Sequence, residues 1–399
     1  MPDPSPRFVY LDHAATTPVD RRVVDSMLPY WLDDWGNPSS VYSAGRRARR
    51  AMDDARDRIA QVLNCRANEV VFTACGSESD NLAVKGVALA VAEQRGWKHI
   101  VTTTVEHHAV LNACRWLERH QGFSVTYVPV DDYGQVSPEA IRDAVRPDTA
   151  LVTVMLANNE IGTVQPIAHV SREVKRVNPR TVVHTDAVQA GGLLPLDAQE
   201  LGVDLLALSG HKFYAPKGVG LLVVRRGTPL LHLLSGGGQE RGVRAGTENV
   251  AYIVGMAAAL DLAYGELDQR VAHVARLRDR LIDGVMRSID GARLTGHPTA
   301  RMPNSASFTI AHADGESLLL NLDKEGVCAS SGSACTSGSL EISHVLEALR
   351  LPEAEARGSL RLTTGIGSTD ADVDRLLSLL PGIVERVREV TPGLVGVRG

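Results

Sequence analysis

No run of apolar residues in this sequence approaches the roughly 20 needed to cross a bilayer. The first residues, MPDPSPRFVYLDHAATTP, lack the cationic and apolar pattern of a secretory signal. The five cysteines are an odd number without disulfide-like spacing, and no CxxC pair offers a zinc site. Neither GxxxxGK[ST] nor GxGxxG follows a strand-like run, which removes support for nucleoside triphosphates and dinucleotides. There is no excess of positive charge: the net charge is −5 at pH 7, so nothing favours nucleic acid or an anionic membrane as a partner. RRARR at 46–50 is followed by MDDARDR, which sets Arg49 and Arg50 four residues before Asp53 and Asp54 on a solvated helix face. Repeats and low-complexity tracts are missing as well. Together these absences describe a cytoplasmic protein with reduced thiols.

What is there is ordinary in bulk and specific in detail. The 399 residues are 44% hydrophobic and 22% charged, enough for a substantial core and for two domains. From residue 69 to 225, short apolar runs alternate with helical patterns, the mark of an α/β domain with a largely parallel sheet. EVVFTACGSESDNLAVKG (69–86) and HIVTTTVEHHAVLNACRWLERH (99–120) each read as strand, loop and helix. ALVTVMLANNEIG (150–162), TVVHTDAVQ (181–189) and VDLLALSGHK (203–212) each end a strand in a polar cluster. After residue 262 the texture changes: a helix with Val271, Val274, Leu277 and Leu281 on one stripe, a strand at 305–311, a helix at 315–326 and a strand at 327–329. The expected division is a large domain over 16–262 and a smaller α/β domain from 1–15 plus 263–399. In an open parallel sheet, ligands bind beyond the carboxyl ends of the strands, and each polar cluster sits at such an end.

The clusters have a common chemistry. In SGHKFYAPKG, Lys212 follows a buried-type strand, where partial desolvation suits an amine for Schiff-base formation, although a surface lysine in a turn would look the same. Asp186 ends an apolar strand in HTDAVQ; it could hold a pyridine nitrogen protonated, or simply cap a helix. ACGSESDN places small residues and Ser77 at a helix N-terminus, a site for a single phosphate. His107 in EHHAV could stack on a flat cofactor or relay protons, and Asn159 and Gln189 offer amides to a phenolic oxygen; each could equally be a satisfied core or capping group. SSGSACTSG (330–338) surrounds Cys335 with small polar residues only, which reads as a mobile, solvent-facing loop. Cys328 in GVCA, Cys65 and Cys114 have the neighbours of structural thiols.

YLDHAATTPVD (10–20), ESDNLAVKG (78–86), EHHAVL, NNEIGT, HTDAVQ, SGHKFYAPKGVG, GGGQERGVRAGTEN (236–249) and SSGSACTSG occur in this order. The set resembles the cysteine desulfurases of the NifS/IscS type, class V aminotransferases among the fold-type I pyridoxal phosphate enzymes, from about residue 9 to 385. The resemblance implies that Lys212 binds pyridoxal 5'-phosphate, that Asp186 pairs with its ring nitrogen, that His107 stacks on the ring and that Asn159 and Gln189 meet its oxygen. Gly76, Ser77, Ser209 and His211 would hold the phosphate, and Thr247 would reach the phosphate of a partner subunit in a homodimer. Arg361 would clamp the carboxylate of L-cysteine bidentately. Cys335 would take the sulfur as a persulfide and pass it to acceptor proteins, with an iron–sulfur scaffold the default and tRNA thiolation or DNA phosphorothioation as other fates. No metal is expected. Two features depart from the family pattern: Cys75 and Ser77 stand where glycine and threonine are usual, and Tyr42 where histidine is common. A selenocysteine lyase or an aminotransferase on the same fold is the nearer rival, and a non-catalytic sulfur-carrier scaffold the remoter one.

Overall fold

The computed structural model describes residues 8–332 and 342–390. A short strand, β1 (Val9–Tyr10), is followed by the seven strands of the main sheet: β2 (Val70–Thr73), β3 (His99–Thr103), β4 (Ser124–Val128), β5 (Thr149–Thr153), β6 (Val182–Asp186), β7 (Leu205–Ser209) and β8 (Gly220–Val224). Their order is β2-β8-β7-β6-β5-β3-β4. Every residue of β3, β5, β6 and β7 is buried, which is why their sequences lack the in-out alternation of a one-faced strand. Some of their polar side chains bond across the sheet: His99 to Thr149 and to Thr126 of β4, and Thr153 to His184. Edge strand β4 is less buried and starts with an exposed serine.

The expected largely parallel sheet is present with one exception. β8 runs antiparallel to both β7 and β2, so β2 still points the same way as β3, β5, β6 and β7. The residues that follow these five strands therefore emerge at one edge. The chain passes from β3 out to β4 and returns past β3 to β5, which puts the reversal of strand order between β3 and β5.

A second, antiparallel sheet is built from β9 (Ala292–Leu294), β10 (Ser305–Ile310) and β12 (Ser359–Thr363) in the order β12-β10-β9. β1 pairs in parallel with β11 (Val327–Cys328) beside it. Helix Leu267–Ser288 covers this unit with Val274, Leu277, Leu281 and Val285, one turn further along than the expected stripe; Val271 is only half-buried. Val9 and Leu11 join this second core, although some 260 residues of chain separate them from its other members. Val345, Leu346, Leu349 and Ala356 instead pack into the larger core beneath the main sheet. On helix Ser43–Val62 the buried face is Ala48, Met52, Ala55 and Ile59, and Arg49 meets Asp53 at 3.3 Å on the solvent side. No single described helix is long and apolar enough to cross a membrane.

Candidate active site

The strand ends converge on a cavity of about 420 Å³. β7 stops at Ser209, and a single 3-10 turn, Gly210–Lys212, carries the lysine into the cavity. Lys212 Nζ donates to the carbonyls of Ala14 (2.5 Å) and Ala15 (2.9 Å). Those carbonyls are held in place by Thr17, whose N–H donates to His211 O at 2.9 Å and whose hydroxyl accepts from Tyr214 N at 2.8 Å. β6 delivers Asp186, which accepts from Val188 N at 2.9 Å, and three residues on Gln189 donates to Ala14 O at 3.1 Å.

Beyond β3, His107 is both a cavity residue and the N-cap of helix His108–Gln121. Its Nδ1 accepts from Ala109 N at 3.1 Å, so a neutral ring carries its proton on Nε2. Burial lowers its pKa; Lys212 and His108 act in the same sense, and Asp186 opposes them.

Three buried acids, Asp186, Asp80 and Glu106, stand at or behind the cavity. Burial raises the pKa of Asp186, and His107, the Val188 N–H and Lys212 pull the other way. Asp80 is pushed well above the usual carboxylate range by burial first, then by Asp186, Glu106 and Cys75. Its Oδ1 has no hydrogen-bond partner and lies 3.7 Å from His184 Nε2, which has none either. Burial holds the His184 pKa near about 3, so that ring is no counter-ion. Glu106, fully buried, is pushed up to about 8, although Thr103 and the Met155 N–H stabilise its charged form. Asp80, His107 and Asp186 each bring one polar atom within 4.8 Å of the others.

At the other end lies an anion site. Helix Gly76–Arg95 starts without a side-chain cap on its first N–H groups, because Cys75 makes none. The Ser209 hydroxyl beside it is buried and has no partner. A Cβ on Gly76 would come within 2.8 Å of Val188 Cγ2 and 3.3 Å of Ser209 Cβ, so only glycine lets the helix start this deep. His211 borders the same region, with Nδ1 3.1 Å from Thr16 Oγ1 and a pKa lowered by burial to about 4. A phosphate-bearing group with a cationic ring, anchored through Lys212, suits both ends of the cavity.

Gly76, Ser77, His107, Asn159, Asp186, Gln189, Ser209, His211, Lys212 and Arg361 all line this one cavity. Arg361, on β12 with a side chain only 3% exposed, donates to Asp12 Oδ1 at 2.8 Å and to Asn159 O at 2.7 Å, while its Nε is buried without a partner. Thr247 stands apart, in a cleft of about 190 Å³ shared with Ala74, Arg244 and Glu248. Cys335 lies outside the described residues; Gly332, just before that segment, lines the cavity. Among the other thiols Cys75 is exposed at the cavity wall, Cys114 is buried, and Cys65 is half-buried with a pKa pushed up to about 12 by burial. Cys328 is half-buried in β11 and its pKa is also raised by burial.

Sequence reasoning did not single out Asp12, the Ala14 and Ala15 carbonyls, Asp80, Glu106, Glu160 or His344. Asp80 and Glu160 sit inside ESDN and NNEIG, where their acidity in an otherwise small or apolar setting was the available signal. His344, whose Nε2 lies 2.9 Å from Glu106 O, had none.

Known proteins resemble this chain along nearly its whole length. The family model described as aminotransferase class-V matches residues 9–376. "Cysteine desulfurase IscS" of Methanosarcina thermophila is 50% identical over 386 residues, covering 97% of this chain and 94% of the relative. A solved structure titled "NIFS-like protein" superposes with a TM-score of 0.89 at 38% identity, over 95% of this chain and 100% of that one. "SspA in complex with cysteine" does so with a TM-score of 0.79 at 35% identity, over 89% and 98%.

Proposed function

The chain belongs to the class-V aminotransferase family, and from that premise we propose that it is a cysteine desulfurase converting L-cysteine to L-alanine, with Cys335 as the residue that carries the sulfur away. The observation that carries the reading is the meeting, in one cavity, of Lys212, Asp186, His107 and a buried arginine with the residue that leads into the Cys335 segment. Pyridoxal phosphate fits the two ends of the cavity. Its phosphate would lie among Gly76, Ser77, Ser209 and His211, its ring nitrogen against Asp186, its face against His107 and its oxygen near Asn159 and Gln189, with Lys212 as the anchoring amine. When bound it supplies an electron sink for bonds at the substrate Cα and Cβ.

The protein's own groups divide the remaining work. Arg361 binds the substrate carboxylate, its orientation fixed by Asp12 and the Asn159 carbonyl. The Lys212 amine would move the Cα proton. Asp186 would hold the cofactor's ring nitrogen in its protonated form. His107, with its proton on Nε2, serves as the acid–base group for the incoming thiol. The Cys335 thiolate attacks the substrate sulfur: a sulfur–sulfur bond forms, the substrate carbon–sulfur bond breaks, and its electron pair stays with carbon until protons complete alanine. Cysteine and one enzyme thiol thus give alanine and one enzyme persulfide, with no external oxidant.

The persulfide then passes to an acceptor protein in the cytoplasm, an iron–sulfur cluster scaffold. The placing of Thr247 beside Ala74 of the phosphate loop, but outside the cavity, supports a homodimer in which each glycine-rich segment serves its neighbour. The test compares the parent with Cys335→Ser in L-cysteine and reductant, measuring sulfide and alanine together. Equal amounts from the parent and almost none from the variant are expected; undiminished activity of the variant would remove Cys335 as the sulfur carrier.

A further inference from the structure

Glu160 has no part in the chemistry above, yet it is among the most constrained side chains at the cavity. It is 5% exposed and stands two residues after Asn158, whose Oδ1 accepts from Glu160 N at 2.8 Å and Ile161 N at 3.0 Å and so fixes the turn. Its carboxylate points at Gly332, the last described residue before the Cys335 segment, and at Ser343, the second described residue after it. On the far side, Ser343 Oγ donates to Glu160 Oε2 and accepts from Val345 N at 3.1 Å. That serine therefore ties the start of helix His344–Ala348 to the acid. On the near side, Gly332 lies so close that a Cβ there would be 2.7 Å from Glu160 Oε2.

The same acid is joined to the substrate arginine. Burial raises the Glu160 pKa to about 7 against the opposing pull of the Ser343 hydroxyl and then of Arg361, which also donates to the carbonyl of Asn159, the preceding residue. The backbone of Ser330, two residues before Gly332, pairs with that of Arg361 in both directions, at 3.2 and 2.6 Å. A buried carboxylate costs several kcal/mol unless it is paired or hydrogen-bonded. The contacts of Glu160 all lead to the two ends of one segment and to the arginine beside them.

We propose that Glu160 is a positioning residue for sulfur transfer: by holding Ser343 and accommodating Gly332, it sets the span from which the Cys335 thiol reaches the substrate bound at Arg361. This rests on the reading that Cys335 carries the persulfide. Glu160 lines the cavity but is bonded to Ser343 rather than given a part in the chemistry, so its removal should separate two steps that a catalytic defect would lower together.

The test uses holoenzyme and three variants, Glu160→Ala, Glu160→Gln and Ser343→Ala. L-cysteine binding is read from the change it causes in the cofactor's visible absorbance, and persulfide on Cys335 from the mass of its peptide in single turnover. In Glu160→Ala the half-saturating L-cysteine concentration should stay within about twofold, while persulfide formation slows at least about tenfold, as loss of alignment of reacting atoms does. Ser343→Ala should slow it in the same sense, and the double variant should be no slower than Glu160→Ala alone, because both changes remove one interaction. Glu160→Gln, which keeps an acceptor oxygen for Ser343, should restore most of the rate. Unchanged persulfide formation in Glu160→Ala, or an equal fall in binding and persulfide formation, would overturn the proposal, as would failure of the glutamine variant to rescue. Failure of the underlying reading looks different: the parent itself would then form no persulfide on Cys335.

Discussion

The hydroxyl of Ser209 illustrates how this site is prepared residue by residue. It is buried with no protein partner, a state that ordinarily costs about 1–3 kcal/mol, and the N–H groups of helix Gly76–Arg95 lie uncapped next to it. An incoming phosphate would satisfy both. Ser209→Ala removes the orphan without touching Lys212, so the cofactor-free protein should be as stable as the parent or slightly more so. Cofactor affinity, measured by equilibrium dialysis, should fall by about 1.5–3 kcal/mol, the worth of a hydrogen bond to a charged group. Affinity equal to the parent's would show that the hydroxyl does not face the phosphate. Legibility at this scale was uneven. Lys212, Asp186 and His107 could be read because each ends an apolar run in a polar residue. His107 shows that the two readings of such a residue can both hold, since it caps a helix through Nδ1 and still presents Nε2 to the cavity. Asp12, Ala14 and Ala15 could not be read: their contacts lie 197 to 349 residues away in sequence, and two of the three act through backbone carbonyls that no side-chain pattern reveals.

Among the elements, the glycine-rich segment 236–249 is the one whose position was least legible. It contains Glu240 and Arg241 at φ +45° and +59°, a strained backbone for side chains of that size. The strain is offset by a buried ion pair: Arg56 meets Glu240 at 2.7 and 3.0 Å, and Glu240 also accepts from Phe72 N at 2.9 Å. Nothing in RRARRAMDDARDR marks Arg56 as different from its solvated neighbours; only its place on the inner face of the helix does so. Glu240→Ala leaves the buried Arg56 guanidinium without its counter-ion, bonded only to the Val70 carbonyl, and the Phe72 N–H without its acceptor. It should cost about 3–5 kcal/mol in denaturant unfolding, whereas replacing both partners with apolar residues should cost much less. A loss below about 1 kcal/mol in Glu240→Ala would mean that water already screens the pair. By contrast the strands were legible in the sequence, because burial on both sheet faces forces near-continuous apolar runs. The reversed direction of β8 was not, since an apolar strand reads the same both ways.

For the molecule as a whole, buried titratable groups act in opposite directions on stability. Burial keeps His13, His99 and His211 neutral down to about pH 4 and His184 to about pH 3, whereas unfolded histidine takes up its proton near 6.5. Between those limits the folded state binds fewer protons than the unfolded one, so stability rises with pH. Glu106 and Glu160, raised to about 8 and about 7, bind more protons folded than unfolded from about 4.5 upward, so their effect is a fall with pH. His107 and His344 are lowered as well, and Asp80 and Asp186 raised, so histidines and acids oppose each other below about 6.5; above it the groups raised by burial make stability fall with pH. The thermal midpoint of the cofactor-free protein should therefore fall above about pH 6.5, and Glu106→Gln should flatten the decline between about pH 7 and 8. A midpoint that rose steadily to pH 9 would contradict this assignment.

The short segment from Val9 to Thr17 gives the molecule a particular order of events during synthesis. It is made well before its partners: Val9 pairs with Val327, Asp12 bonds to Arg361 and Ala14 N to Thr363. At ordinary elongation rates those partners follow on the order of tens of seconds later. The main sheet can be complete by then, with Lys212 at its edge and Thr17 bonded to His211 and Tyr214, but the pairing of Val9 and the bonds of Asp12 and Ala14 N must wait for β11 and β12. The ribosome thus releases the site's first component long before its place is ready, and the finished pocket marks the arrival of the last third of the chain.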